Sequence, residues 1–243
     1  MVAFLREVFS SVQGEGLYVG QRQIFIRFAG CNLKCAYCDT PLDRPPACRV
    51  ELTPGGKDYI FLPNPLTPAL VAEMAARVSF PGHHSVSLTG GEPLLYDEFL
   101  LELIPLLPGC RRGVYLETNG SLPRELARVI HLVEIVAMDI KLPEVAGVPP
   151  LWEVHREFLQ VAAQKEVFVK IVVDDRTPLD ELEEALLLVR GVGDIPLVIQ
   201  PATLPGGNLA AGPERLHVFQ RHALRFLSDV RVVPQVHRML NCL

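Results

Sequence analysis

The sequence has no apolar run long enough to cross a bilayer, so a membrane-spanning helix is not expected. Its first residues, MVAFLREVFSSVQ, bring in charged and polar side chains almost at once, which does not fit a secretory leader. A soluble, cytoplasmic protein is expected. There is no lysine- or arginine-rich tract, and 23 Lys and Arg face 28 Asp and Glu. Sequence-independent nucleic-acid binding normally needs a basic surplus, so a small-molecule partner fits better. No internal repeat is visible. The single tryptophan, Trp152, falls in a predicted helix, where packing accounts for it better than stacking on a ligand. The six cysteines do not form a disulfide framework for such a chain. Cys48, Cys110 and Cys242 stand apart and read as small buried or surface thiols. The other three lie together in CNLKCAYCDT, residues 31–40.

At 243 residues and 49% apolar content, the chain is expected to form one domain, 1–243, around one large core. Segments rich in Val, Ile and Phe predict strands over 6–9, 23–28, 85–88, 113–117, 135–139, 167–173, 197–200 and 230–233. Helices are predicted over 68–78, 97–107, 123–130, 151–163, 179–189 and 213–227. Several open on Thr or Ser ahead of a proline, as at Thr67-Pro68, Ser121-Leu122-Pro123 and Thr177-Pro178. Strands alternating with helices imply an α/β fold with a parallel sheet, either open or part of a (β/α) barrel. In both, functional groups gather at the C-terminal ends of the strands. Residues 41–66 hold six prolines and two glycines and read as a long loop or small insertion after the cysteine loop.

Cys31, Cys35 and Cys38 directly follow a predicted strand, and three thiolates on one short loop can hold three irons of a [4Fe–4S] cube. Such clusters normally take four cysteines, so one iron would stay open to a ligand that is not protein. An open coordination position marks a reactive site. The competing reading is zinc completed by Cys48 or a histidine. No second Cys-x-x-Cys pair follows, and His83 and His84 lie far downstream.

Further motifs end later strands. LTGGEP, 88–93, places Gly90 and Gly91 where a backbone can approach closely, with the Glu92 carboxylate beside them. ETNG, 117–120, offers Glu117 and Asn119, although Asn119-Gly120 is also a common turn pair. MDIKLP, 138–143, supplies Asp139 and Lys141, as ligand groups or as a buried ion pair, and Gln200 ends a later strand. Nearer the start, Gln13-Gly14-Glu15-Gly16 is a polar glycine turn. Arg27 sits mid-strand and must pair, with an internal carboxylate or with a substrate.

The pattern Cys31-x-x-x-Cys35-x-Tyr37-Cys38 resembles the signature of the radical S-adenosylmethionine (SAM) superfamily. The resemblance implies a partial (β/α) barrel and a [4Fe–4S] cluster on Cys31, Cys35 and Cys38. The amino and carboxylate groups of SAM would occupy the open iron. It further implies SAM contacts from Tyr37, Cys38, Asp39, Gly91, Glu92, Glu117, Asn119, Lys141 and Gln200. FSSVQGEG, 9–16, with QIFIRFAGC, 23–31, and the ending VPQVHRML, 233–240, is similar to the 7-carboxy-7-deazaguanine synthase family. That likeness implies conversion of 6-carboxy-5,6,7,8-tetrahydropterin to 7-carboxy-7-deazaguanine with loss of ammonia. Val12, Gln13, Gly14, Glu15, Arg27, Thr89 and His237 would face the substrate, and Thr40 a Mg2+ ion. An electron donor such as flavodoxin or ferredoxin and a homodimer are also implied. The likeness does not extend to 41–66. Two other readings compete: an activating protein for a glycyl-radical enzyme, and a zinc-stabilised binding module without catalysis.

Overall fold

A computed structural model of the chain describes residues 1–242. The strands are β1 (Leu5–Val12), β2 (Arg22–Phe28), β3 (Ala47–Glu51), β4 (Tyr59–Pro63), β5 (Ser85–Gly90), β6 (Val114–Thr118), β7 (Ile135–Ile140), β8 (Glu166–Val173), β9 (Leu197–Pro201) and β10 (Val230–Val232). The helices are α1 (Pro68–Arg77), α2 (Asp97–Leu103), α3 (Pro123–Val129), α4 (Pro143–Ala146), α5 (Trp152–Ala162), α6 (Leu179–Val192), α7 (Pro213–Ala223) and α8 (Val236–Met239). Thr67 caps α1 as expected, its hydroxyl accepting from the Leu70 N–H. Ser121 and Thr177 do not cap; their hydroxyls bond Asn119 and Asp174 in the preceding turns. The predicted 97–107 helix loses its α geometry after Leu103 and continues as a short 3-10 turn. Pro105 lies there and has no N–H to donate.

The sheet is open, in the order β10-β9-β8-β7-β6-β5-β2-β1-β3-β4. From β2 to β10 every neighbouring pair is parallel. Parallel neighbours cannot be joined by tight hairpins, which is why helices intervene between most of them. β1 runs the other way, antiparallel to β2. Residues 41–66 are not a structureless loop. They fold into the β3–β4 hairpin, which pairs through β3 with β1 and extends the sheet at that edge. The segments ACRVE and YIFLP carry the strand pattern that the surrounding prolines obscure.

Period-two alternation sorts the parallel strands into two faces. One set, including Ile24, Ile26, Val86, Leu88, Leu116, Val136, Met138, Val169, Ile171 and Ile199, joins the buried core beneath the helices. The other set faces a cavity. Its floor is apolar: Tyr115, Ala137 and Phe168 line it and pack with Ile135 and Val198 beneath. At the C-terminal ends of the strands the lining becomes polar: Arg27, Thr89, Glu117, Asp139, Lys170 and Gln200, each from a different strand.

Candidate active site

Two adjoining cavities, about 610 and 510 Å³, open at these strand ends and share Glu15, Arg27, Asp39, Thr40, Thr89 and Glu117. Cys31, Cys35 and Cys38 line the larger. All three are free thiols, and burial raises those of Cys31 and Cys35. The Cys31 sulfur accepts from the Leu33 N–H at 3.4 Å and from Asn119 Nδ2 at 3.5 Å. Among the described residues no three His, Cys, Asp or Glu side chains converge on a point where one ion could sit.

The glycines of LTGGEP serve the loop directly. A Cβ on Gly91 would lie 1.7 Å from the Gly30 carbonyl oxygen, so only glycine lets the β5 tip press against the residue before Cys31. The Gly91 N–H donates to Phe28 O and the Glu92 N–H to Gly30 O, at 3.1 and 2.9 Å. The close approach is thus to protein backbone. Glu92 lies behind this contact, fully buried, and lines neither cavity. Its carboxylate accepts from Leu94 N–H, Thr118 hydroxyl and Asn119 N–H. Burial pushes its carboxyl up to about 7, although those donors and Lys141 pull the other way. Glu92 thus ties the tip of β5 to the end of β6 from behind the cavity lining. Asn119 does double duty. Its Oδ1 closes a turn onto Ser121 N–H, and its Nδ2 reaches Cys31 and Asn32.

The larger cavity is lined by three residues with buried polar atoms that lack hydrogen-bond partners among the described residues: Tyr37 Oη, Asp139 Oδ1 and Gln200 Oε1. Such groups are costly unless a ligand satisfies them. Lys141 pairs with Asp139 at 2.8 Å and lies 5.3 Å from the Tyr37 ring centre. The ion pair weighed against ligand binding at Lys141 is thus present, on the wall of the same cavity.

The smaller cavity is lined by Val12, Gln13, Gly14, Glu15, Arg27, Thr89 and His237, with Thr40 at its junction with the larger. The turn at 13–16 does not come from the C-terminal ends of the parallel strands. Because β1 is antiparallel, it enters beneath the cavity from the opposite end. Gln13 is buried and donates to Gln23 Oε1 and Glu117 Oε1 at 3.0 and 2.8 Å, while accepting from the Glu15 N–H. Thr89 donates to the other Glu117 oxygen at 2.7 Å. Glu117 therefore sits with the 13–16 turn as much as with the cysteine loop. Glu15 pairs with Lys170 and accepts from Gln235 Nε2 at 2.8 Å. Burial raises the Glu15 carboxyl, but the Lys170 ammonium and these donors outweigh it and hold it at about 2. Lys170 also reaches Asp139 at 3.3 Å, joining the two cavity walls. The sequence reading missed Lys170; the alternation of 167–173 was the signal, since it turns Lys170 to the same face as Phe168.

The chain ending closes over this turn. The Val236 N–H donates to Gly14 O at 2.9 Å, and Arg238 pairs with Asp39 at 2.6 Å. A Cβ on Gly14 would meet His237 atoms at 2.3–2.6 Å. Gly14→Ala is expected to cost about 1–3 kcal/mol of docking free energy, because an extra methyl has no room. Limited proteolysis should then cut the α8 segment faster while iron content stays that of the parent. Unchanged cleavage would contradict this packing account.

Arg27 is anchored through Nε to Glu7 at 2.8 Å, so its partner is internal. Among the described residues no hydrogen bond engages its two terminal nitrogens, and it lines both cavities.

Residues 25–145 match the model of the radical SAM superfamily. The chain is 46% identical over 244 residues to a 7-carboxy-7-deazaguanine synthase of Geobacter sulfurreducens, covering 98% of this chain and 97% of the relative. It is 38% identical to one from Methanothermobacter thermautotrophicus, covering 99% and 98%. The crystal structure of QueE from Escherichia coli shares the fold, with a TM-score of 0.63 at 21% identity, covering 98% of this chain and 95% of that one. Full-length identity at this level, with cysteine loop and glycine tip locked together as described, shows that the chain belongs to the 7-carboxy-7-deazaguanine synthase family of the radical SAM superfamily.

Proposed function

We propose that this protein converts 6-carboxy-5,6,7,8-tetrahydropterin to 7-carboxy-7-deazaguanine with release of ammonia, holding SAM in the larger cavity and the pterin in the smaller. The observation that carries the reading is the chemistry of the two linings. The larger cavity has three free thiols and three buried polar atoms without partners among the described residues, which suit the ribose hydroxyls and N–H groups of SAM. The smaller has an open guanidinium edge on Arg27 and a polar floor at Gln13, Glu15 and Glu117.

Cys31, Cys35 and Cys38 would hold the cluster, which with SAM supplies the electron and the hydrogen-abstracting radical. Tyr37, Asp39, Gly91, Asn119, Lys141 and Gln200 would bind SAM, and Glu92 would act from behind by fixing Asn119 and Gly91. Arg27 would take the pterin carboxylate, and Gln13, Glu15, Thr89 and Glu117 the polar ring edge. His237 and α8 would keep water from the pterin. Thr40 and Asp39 present hard oxygen donors where the cavities meet, their side chains 3.5 Å apart. A Mg2+ ion keeps several waters and needs few protein ligands, so this sparse set fits one that also binds the substrate carboxylate. A glycyl-radical activating protein would have no need of the Gln13–Glu15 floor or the α8 ending, yet both are built into the cavity. No described helix is long and apolar enough to cross a membrane, in keeping with a cytoplasmic enzyme. A flavodoxin or ferredoxin donor and a homodimer complete the reading.

The test is an anaerobic assay of cluster-loaded protein with reductant, SAM and the carboxypterin, with and without Mg2+. Deazaguanine product that increases with Mg2+ is expected. SAM cleavage without product would reject the assignment.

A further inference from the structure

The β3–β4 hairpin contributes one side chain to the smaller cavity whose placement follows from sheet register. Glu7 on β1 is paired directly with Arg27 on β2 and with Arg49 on β3, and Arg27 in turn with Thr89 on β5. The three charged residues therefore form one row on the cavity wall, two cations around one carboxylate. Glu7 is only 13% exposed, so its charge is poorly screened. Its two oxygens are divided: Oε1 accepts from Arg27 Nε and Oε2 from an Arg49 terminal nitrogen. Arg49 is held in turn by the Tyr59 ring, 4.6 Å from its guanidinium carbon. A third arginine, Arg6, is already spent on Asp43 and the Pro41 carbonyl.

We infer that Arg49 is a positioning residue that keeps Arg27 open to an anionic substrate group. An arginine and a carboxylate left alone prefer a two-point, fork-to-fork pair. By occupying Oε2, Arg49 limits Glu7 to a single bond with Arg27. The terminal nitrogens of Arg27 then stay free toward the cavity. Without Arg49, Glu7 takes a second point on Arg27 and competes with the ligand for it. The row keeps one net positive charge only while Arg49 is present. The identity of the anion as a pterin carboxylate rests on the function proposed above.

Calorimetric titration of the cluster-loaded protein with 6-carboxypterin, and with pterin lacking the carboxylate, tests this. The wild type should prefer the carboxylated ligand. Arg49→Met should weaken 6-carboxypterin binding by about 10- to 100-fold, the loss of one charged hydrogen bond, and leave pterin binding unchanged. Arg49→Lys should fall between the two. Removing the competitor as well, in Glu7→Gln with Arg49→Met, should restore most of the preference, which no merely structural role for Arg49 would produce. Should Arg49→Met fail to fold, Arg49→Lys alone and combined with Glu7→Gln give the same contrast. A wild type indifferent to the carboxylate would overturn both this inference and the functional reading. A normal wild type with an Arg49→Met variant that keeps its preference, or a double variant no better than the single, would overturn the inference alone.

Discussion

Cys35→Ala is expected to give a folded protein that retains no stable [4Fe–4S] cluster and forms no product, a loss of more than about 10³-fold. Among the described residues the Cys35 sulfur makes no hydrogen bond, and it is only part-buried, so the fold loses little with it. Its work is confined to the metal, because two thiolates cannot hold the cube that three present. Cys110→Ala is the matched control. It is also part-buried and free, but it lies away from both cavities and should keep full iron content. Iron and sulfide analysis with the visible absorption spectrum checks both variants. A Cys35→Ala protein that keeps its iron would show that the loop is not the anchor.

Lys170→Met is expected to cost about 3–5 kcal/mol of stability at neutral pH, because it leaves Glu15 without its buried counter-ion and weakens the hold on Asp139. The pH dependence follows from the sign of the Glu15 shift. In the parent protein that carboxyl lies below its ordinary value of 4.5, at about 2. Its contribution to stability is therefore fully present above about pH 4.5 and is lost as pH falls toward 2. In the variant, burial acts unopposed by Lys170 and raises the carboxyl, so protonation favours the folded state. The stability gap between the two proteins should narrow as the pH is lowered from 7 to 4. Urea unfolding of the iron-free proteins at both pH values measures it. A gap that widens on acidification would mean that Glu15 is not the group left unpaired.

Much of the site is legible in the sequence because the chemistry sits at strand tips. Glycines, acids and amides break the apolar runs there, and an α/β sheet gathers such tips at one end. The cysteine loop, Glu117, Asp139 and Gln200 are read on that logic, and Thr89 on the family resemblance. What escaped has physical causes. Lys170 stands inside VFVKIVV, where one charge in an apolar strand reads as solvent-facing until the alternation is mapped onto a cavity. The route of Gln13 and Glu15 depends on the antiparallel direction of β1, which no local pattern reveals. Arg49 was hidden because six prolines across 41–66 read as loop, although Val50, buried against the core, marks a strand. The interior position of Glu92 was hidden for another reason. Its neighbours are ligand-like, but three donors already claim its carboxylate.

The central claim is that the protein supplies three ligands to the cluster and leaves the fourth iron to SAM. Electron paramagnetic resonance of the reduced, cluster-loaded protein, recorded with SAM isotopically labelled at its amino and carboxylate groups, addresses it most directly. Hyperfine coupling from both labelled groups to the cluster is predicted. A spectrum indifferent to SAM, or one that reports a fourth protein ligand on the cube, would contradict the account.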